Sequence, residues 1–366
     1  MFANRFINAV FLMIWMSSFF KALAIAGALS LVLESELGER GLPSKHERRD
    51  VGVNLTVFVP DSVRDVHKQI FEKLASEGYS VMIDPAYYQM SAHSSHIDST
   101  TVMNLEELVK AARDKGLDVL LKPFINSKDD AFRGVFFTDS SDSWFKDYER
   151  IILKQAELAN KYHLKGICIG AELDRLLMAY PSRFNDLAHK IRGTGFQGIL
   201  FYSMGYTGLL DLETMTFLNN LDIDAIGLDF YVPMYKQEER SPLFKGQASM
   251  EPFFYLEKAA KASKKPLIIS EVGYRSVQHA NRRPFDWMMN GLPDETVQWE
   301  SYKNFLLSMS SAEQAKLPIK GVYFWITDNT TFVYDIDSSS ITSARGYSYF
   351  RKRAEKEVLH YMQRWY

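Results

Sequence analysis

Eight short hydrophobic runs recur from residue 51 onward, and segments of helical length separate them. The runs are rich in β-branched and aromatic residues, and most of them are continuously hydrophobic. Strands of a parallel sheet that is covered on both faces have this composition. Alternation of such strands with helices is typical of α/β folds. The runs are 52–58, 80–86, 118–124, 166–172, 198–204, 225–231, 266–272 and 321–327.

The number of runs predicts a (β/α)8 TIM barrel that forms a single domain over residues 51–366. A doubly wound open sheet would favour a glycine-rich first turn, and the chain contains no G-x-G-x-x-G motif. Asn104 and Glu107 form a predicted capping box, and Gly116 ends the helix that follows. The longest connecting segments follow strand C-termini, where the loops of a barrel build its active face. They are 87–103, 125–143, 232–249, 273–294 and 328–342.

Charge and motif content exclude several classes of function. The chain has 43 Lys+Arg and 45 Asp+Glu, and no basic run is long enough to track a phosphate backbone, so nucleic acid is not an expected partner. The chain lacks the P-loop, G-x-S-x-G and H-E-x-x-H motifs of phosphate binding, acyl transfer and zinc proteolysis. His93 and His96 have no third acidic or histidine ligand placed with them. We therefore expect neither a cofactor nor a metal.

The N-terminal segment has the order of a secretory signal peptide. Arg5 precedes an apolar stretch over residues 6–20, and residues 22–24 form an A-x-A cleavage site. The alternative is one membrane anchor that continues to Leu33. That reading would place Lys21 near the bilayer centre at a cost of about 2.5–3.5 kcal/mol.

Three segments follow from these patterns: a signal peptide or anchor over 1–24, a linker over 25–50 and a catalytic domain over 51–366. Residues 34–50 are charged and carry no apolar period, which is typical of a tether. We expect the domain to be exported to the periplasm or the extracellular space. Contact with a membrane is expected only if the N-terminal segment stays uncleaved.

Two acidic residues stand at the C-terminal ends of predicted strands, Glu172 at the fourth and Glu271 at the seventh. A carboxylate that ends a buried apolar strand is costly unless it is solvated or hydrogen-bonded in a cleft, so each residue is a candidate for a functional site. The fourth and seventh strands face each other across the mouth of a barrel. Two carboxyl groups placed there flank one bond, as cleavage of a glycosidic bond requires.

The motifs around these glutamates resemble those of glycoside hydrolase family 113, whose known members include β-mannanases. The resemblance covers residues 51–366, with the motifs in the same order. It implies a TIM barrel that cleaves β-linked glycosides with retention of configuration. The motifs are LKPF (121–124), FRG (132–134), WFKDY (144–148), IGAEL (169–173), SEVGYRS (270–276) and the segment 298–302.

The resemblance also implies roles for individual residues. Glu172 would be the general acid/base and Glu271 the nucleophile, and Tyr231 would donate a hydrogen bond to the nucleophile. Trp325, at the end of the eighth strand, would offer a flat face to a sugar ring, although a barrel strand also needs bulky core residues. Tyr202, in the fifth strand, is a further predicted contact to the substrate.

Two cationic residues lie near the same barrel mouth. Lys122 ends the third strand and Arg133 lies in the loop that follows. Both are predicted either to bind sugar hydroxyls or to balance the carboxylates, with a structural ion pair as the alternative for each. The basic, aromatic segment 274–287 is interpreted either as a grip for an acidic sugar or as a loop whose arginines pair with neighbouring acids.

The chain departs from the family pattern at three places, and these leave the substrate open. Ala171 and Phe124 stand where the family or its clan usually has Asn and His, and Tyr202 to Gly205 replace a stretch that usually contains Asn. The expected substrate is a polysaccharide or oligosaccharide of the mannan type or a related one. The alternatives are a carbohydrate-binding or assembly protein of a polysaccharide export system and a transglycosylase.

Overall fold

The computed structural model describes residues 49–56, 65–101, 104–138, 141–206, 208, 212–234, 251–326 and 345–365. The predicted signal peptide, nearly all of the predicted linker and the loop segment 328–342 lie outside the described residues. No helix among the described residues is long and apolar enough to cross a membrane.

Eight parallel strands close into a barrel, which confirms the predicted TIM-barrel fold. Each strand pairs with the next along the chain, and the last pairs with the first, so that Asn54 lies opposite Trp325. Each of the eight predicted runs overlaps one strand of the barrel. The first strand begins at Asp50, the last residue of the predicted linker. The barrel strands are β1 (Asp50–Leu55), β2 (Ser80–Ile83), β3 (Val119–Leu121), β4 (Gly166–Ala171), β5 (Ile199–Met204), β6 (Ala225–Asp229), β7 (Leu267–Val272) and β8 (Ile319–Trp325), and the segments Ala86–Gln89 and Phe124–Ser127 form a separate two-stranded parallel sheet.

Helices connect the strands and cover the barrel. The predicted capping box is present, because the Asn104 side chain accepts a hydrogen bond from the backbone nitrogen of Glu107 over 3.4 Å. Gly116 follows this helix with a φ of +79°, a backbone conformation that favours glycine. The described helices are α1 (Asp65–Glu77), α2 (Leu105–Asp114), α3 (Ser141–Tyr162), α4 (Asp174–Ala179), α5 (Pro181–Gly193), α6 (Leu212–Asn220), α7 (Glu251–Ala262), α8 (Glu295–Gln314) and α9 (Ala354–Trp365).

Successive side chains of each strand point to opposite sides of the barrel wall, so the core has two layers. In β5, the Phe201 side chain packs in the cluster that fills the barrel interior, whereas Tyr202 belongs to the cluster between strands and helices. The Tyr202 ring is fully buried and packs edge-on against Phe184 of α5, with ring centroids 5.6 Å apart. The prediction that Tyr202 contacts substrate is therefore wrong, because the two-residue period of a strand directs its ring away from the barrel mouth.

A local irregularity in the pairing accompanies each candidate glutamate. In β4 the register with β5 shifts between Cys168 and Ala171, just before Glu172. In β7 the register with β6 shifts between Ile269 and Glu271. An extra residue in one strand re-aims the side chains that follow it. Both shifts thus lie where a carboxyl group is directed into the barrel mouth.

Candidate active site

Six of the seven predicted site residues lie at the C-terminal ends of the barrel strands or in the loops that follow them. The exception is Tyr202, which packs outside the barrel. This rim is where active sites of TIM barrels are built, because the eight strand-to-helix loops meet there. The six residues are Lys122, Arg133, Glu172, Tyr231, Glu271 and Trp325.

Glu172 directly follows β4 in a left-handed backbone conformation, with a φ of +54°. This conformation is uncommon for a residue other than glycine and is held here by the Glu172 backbone nitrogen, which donates to the carbonyl oxygen of Ser203 over 2.7 Å. Gly205 lies against the carboxyl group: a Cβ atom at position 205 would be 2.9 Å from Glu172 Oε1. Burial raises the pKa of Glu172 to about 8, and the nearby carboxylates Asp229 and Glu271 add to this rise.

Arg133 is the cationic partner of Glu172. Its Nη1 donates to Glu172 Oε2 over 3.0 Å, which opposes the rise in the pKa of Glu172. The guanidinium is oriented from two further sides: Nη2 donates to Asn126 Oδ1 over 2.9 Å, and the Phe124 ring lies 4.4 Å from the guanidinium carbon. Phe124, one of the departures from the family pattern, therefore makes a cation–π contact that positions Arg133.

Glu271 in β7 is held through both carboxyl oxygens. Oε1 accepts a hydrogen bond from Lys122 Nζ, and Oε2 accepts one from the Tyr231 hydroxyl over 2.7 Å. Burial raises the pKa of Glu271, as does the carboxylate of Asp229, whereas Lys122 and Tyr231 lower it. The two glutamates thus differ in environment, because two hydrogen-bond donors support the ionised form of Glu271.

Two further buried acids, Asp84 and Asp229, complete the site, and our sequence analysis missed both. Asp229 ends β6 and its Oδ2 lies 3.2 Å from Lys122 Nζ, while Asp84 follows β2. Both side chains are fully buried. Each is an acid at the end of a buried apolar strand, so the criterion that selected Glu172 and Glu271 also applies to them.

Lys122 is fully buried among these acids. Burial by itself lowers the pKa of Lys122, but the carboxyl groups of Asp229, Glu271 and Asp84 outweigh this effect and raise it. The contacts of Lys122 Nζ with Glu271 and Asp229 are those of a group that balances carboxylates, and its contact with sugar hydroxyls stays a prediction.

Aromatic side chains extend from the barrel interior to the rim. Trp325 is only 5% exposed and belongs to the interior cluster, against which Tyr231 and Trp287 pack. Further out, the Phe285 ring stacks on Tyr206, with centroids 6.3 Å apart and an interplanar angle of 13°. Phe285 remains 46% exposed, so one aromatic surface at the rim is open to solvent.

Two arginines of the segment 274–287, Arg275 and Arg283, are engaged within the protein. Buried Arg275 donates from Nη1 to the carbonyl oxygens of Trp287 and Met289 over 2.7 and 2.8 Å, and so organises the loop after β7. Arg283 lies 3.1 Å from a carboxyl oxygen of Asp286. Arg283 thus pairs with a neighbouring acid, as one of the two interpretations predicted, whereas Arg275 binds backbone carbonyl oxygens.

Comparison with known proteins gives a family and several solved structures of the same fold. The model of Glycoside Hydrolase Family 113 matches residues 63–352. The complex structure of a family 113 β-1,4-mannanase shares 21% identity, with a TM-score of 0.67 over 87% of this chain and 99% of that one.

Two other structures extend the comparison. The family 113 β-mannanase AaManA from Alicyclobacillus acidocaldarius, in complex with ManMIm, shares 19% identity, with a TM-score of 0.66 over 86% of this chain and 97% of that one. A GH5_18 protein from Bifidobacterium longum subsp. infantis shares 14% identity, with a TM-score of 0.56 over 86% and 79%. No curated protein sequence matches the chain.

Proposed function

The chain belongs to glycoside hydrolase family 113, and we propose that it is a retaining enzyme that cleaves β-1,4-mannan or a closely related β-linked glycan. Glu172 is the acid/base of this proposal and Glu271 the nucleophile. One observation carries the assignment: both carboxyl groups lie at one barrel mouth, but Glu172 has a pKa of about 8 while Glu271 is held by Lys122 and Tyr231. Double displacement needs one protonated and one ionised carboxyl group.

In the first proposed step, a Glu271 carboxylate oxygen attacks the anomeric carbon. Glu172 donates its proton to the glycosidic oxygen, so the bond to the leaving sugar breaks and a glycosyl-enzyme ester forms. The Tyr231 hydroxyl and the Lys122 ammonium both bind the nucleophile before attack, which supports an ionised and oriented carboxylate.

In the second step, Glu172 acts as the base. It takes a proton from a water molecule, the water oxygen attacks the anomeric carbon, and the ester to Glu271 breaks. Arg133 donates to Glu172 over 3.0 Å, and it stabilises the carboxylate that exists between the two steps. Residues of the described chain thus supply each proton transfer.

The proposed substrate is supported by the family 113 structures and by the aromatic residues at the rim of the barrel. Both family 113 structures compared above are β-mannanases. The exposed Phe285 ring and its stacking partner Tyr206 support a chain substrate, because flat aromatic surfaces bind the apolar faces of sugar rings. Phe124 and Ala171 change the contacts near Glu172, so the proposal includes β-linked glycans related to mannan.

The test is reducing-end release from β-mannan, β-glucan, xylan and acidic exopolysaccharides by the full chain and by Glu271→Ala. We expect release from β-mannan or a close relative and a loss of several orders of magnitude in Glu271→Ala. The control is Glu300→Ala, which removes an exposed glutamate of α8. Binding without release by the wild type would favour the carbohydrate-binding role, and products longer than the substrate would favour transglycosylation.

A further inference from the structure

We propose that Asp229 is a positioning residue of the active site: it shares the Lys122 ammonium with Glu271 and so prevents Lys122 from pairing with the nucleophile alone. The inference rests on the proposed function, because that function makes Glu271 the nucleophile and Glu172 the acid/base. It adds Asp229, a carboxylate that does not touch the substrate, to the groups that set the ionisation of Glu172 and Glu271.

Asp229 is fixed on two sides. Its Oδ1 accepts hydrogen bonds from the Ser203 hydroxyl over 2.7 Å and from the Ser270 hydroxyl over 2.9 Å. Both serines are fully buried and lie on the two strands that flank β6. The serines leave Oδ2 facing Lys122 Nζ at a distance of 3.2 Å. Among the described residues, this ammonium group is the only partner of Oδ2. The carboxylate therefore cannot turn away from Lys122 without losing both serine donors.

Lys122 is shared between two carboxylates. Its Nζ contacts both Glu271 Oε1 and Asp229 Oδ2. A buried carboxylate without a cationic partner is strongly unfavourable, so neither acid releases Lys122 readily. Divided in this way, the ammonium orients Glu271 but neutralises it less than an exclusive ion pair would. A carboxylate that is less neutralised is the better nucleophile.

Other titratable groups surround this set from the neighbouring strands. Burial raises the pKa of Asp84 well above its ordinary value, which favours the neutral carboxyl group. Burial also raises the pKa of the Cys168 thiol to about 12. The groups that face Lys122, Asp229 and the two glutamates are Asp84 after β2, Arg133 in the loop after β3, Cys168 in β4 and Tyr231 after β6.

The negative charge of Asp229 acts on both glutamates in the same direction. It disfavours the ionised form of Glu172 and of Glu271, so it raises the pKa of each. Asp229→Asn removes this charge and keeps the size of the side chain. Both pKa values then fall, and both limbs of the pH–rate profile move to lower pH: the acidic limb through Glu271 and the basic limb through Glu172.

The experiment is a pH titration of the Glu172 and Glu271 carboxyl carbons by ¹³C NMR of the full chain. Each signal is assigned by its absence in Glu172→Gln or Glu271→Gln. We expect Asp229→Asn to lower both titration midpoints by about one pH unit. Ser270→Ala is the matched control, because it removes a donor to Asp229 but keeps the charge, and its midpoints are expected to stay in place.

Three outcomes overturn the proposal. The first is unchanged midpoints in Asp229→Asn, and the second is an equal shift in Ser270→Ala. If Asp229→Asn does not fold, Asp229→Ser replaces it. The third outcome is that neither Asp229 variant folds while Ser270→Ala does, which would show that Asp229 serves stability alone. The titration needs no turnover, so a wild type that cleaves no β-linked glycan contradicts the proposed function and leaves this test intact.

Discussion

Arg133 donates a hydrogen bond from Nη1 to Oε2 of Glu172 over 3.0 Å, so the proposed acid carries its own counter-charge. Arg133 lowers the pKa of Glu172, but burial raises it more, and the resulting pKa is about 8. The protonated form thus persists at neutral pH, while the ionised form needed in the second step has a partner. Proton donation and proton removal by one residue both depend on this balance.

Removal of the Arg133 charge should move the basic limb of the pH–rate profile. In Arg133→Met the pKa of Glu172 rises, because the group that lowers it is gone, and the basic limb moves up by about one pH unit. This direction is opposite to that expected of Asp229→Asn. Arg133→Lys keeps the charge and serves as the control. A basic limb that stays in place or moves down in Arg133→Met would contradict the role of the ion pair.

Gly205→Ala should slow the reaction by displacing the Glu172 carboxyl group. The added Cβ atom would lie 2.9 Å from Glu172 Oε1, closer than real contacts allow, so the carboxyl group must move. A displacement of about 1 Å at a catalytic group costs on the order of 100-fold in rate. Gly193→Ala is the control, because a Cβ atom there meets nothing within 4 Å. Equal kcat values in the two variants would disprove the prediction.

Phe285→Ala should weaken the use of long substrates more than that of short ones. The ring is 46% exposed and stacks on Tyr206, which follows Gly205 beside the proposed acid/base Glu172, so we expect it to lie on the side of the leaving sugar. We expect kcat/KM for β-1,4-mannohexaose to fall about tenfold, with a smaller loss for mannotriose. Leu307→Ala, which removes an exposed side chain of α8, is the control. Equal losses for the two oligosaccharides would exclude a platform at Phe285.

Glu172→Gln should stabilise the fold progressively as the pH rises. The pKa of Glu172 is about 8 in the folded protein, against 4.5 as the ordinary value. Because the pKa is higher in the folded protein than in the unfolded chain, the contribution of Glu172 to the free energy of unfolding is largest below about pH 4.5. This contribution is lost as the pH rises to about 8.

Gln cannot ionise, so the variant avoids this loss. The melting temperature of Glu172→Gln relative to wild type should increase by about 2 °C or more between pH 5 and pH 8. The same change at exposed Glu300 provides the baseline. A difference that stays constant with pH would show that the pKa of Glu172 is not raised by folding.

Much of the fold and part of the site follow from local sequence patterns. Continuous apolar runs predict buried parallel strands, and a glutamate at the end of such a run marks a site because its burial is costly. Tyr202 shows the limit of this reasoning. Which face of a strand a side chain takes depends on the pairing register, and the hydrophobic run around Tyr202 is buried on both faces and does not reveal it.

Partners distant in sequence were also beyond prediction. Arg133 and Glu172 are 39 residues apart, and Lys122 and Glu271 are 149 apart. Only closure of the barrel brings them together, so the sequence could not show which acid each of Arg133 and Lys122 contacts. Asp229 was accessible to the strand-end criterion, but its importance depends on Lys122, which lies three strands away in the barrel order.

The most direct test of the account is the anomeric configuration of the first product, followed by ¹H NMR while the full chain hydrolyses β-1,4-mannohexaose or the glycan found active in the panel. Two displacements, first by Glu271 and then by water, restore the original configuration, so the β-anomer should appear first and the α-anomer only later by mutarotation. First appearance of the α-anomer would show single displacement by water and would contradict Glu271 as the nucleophile.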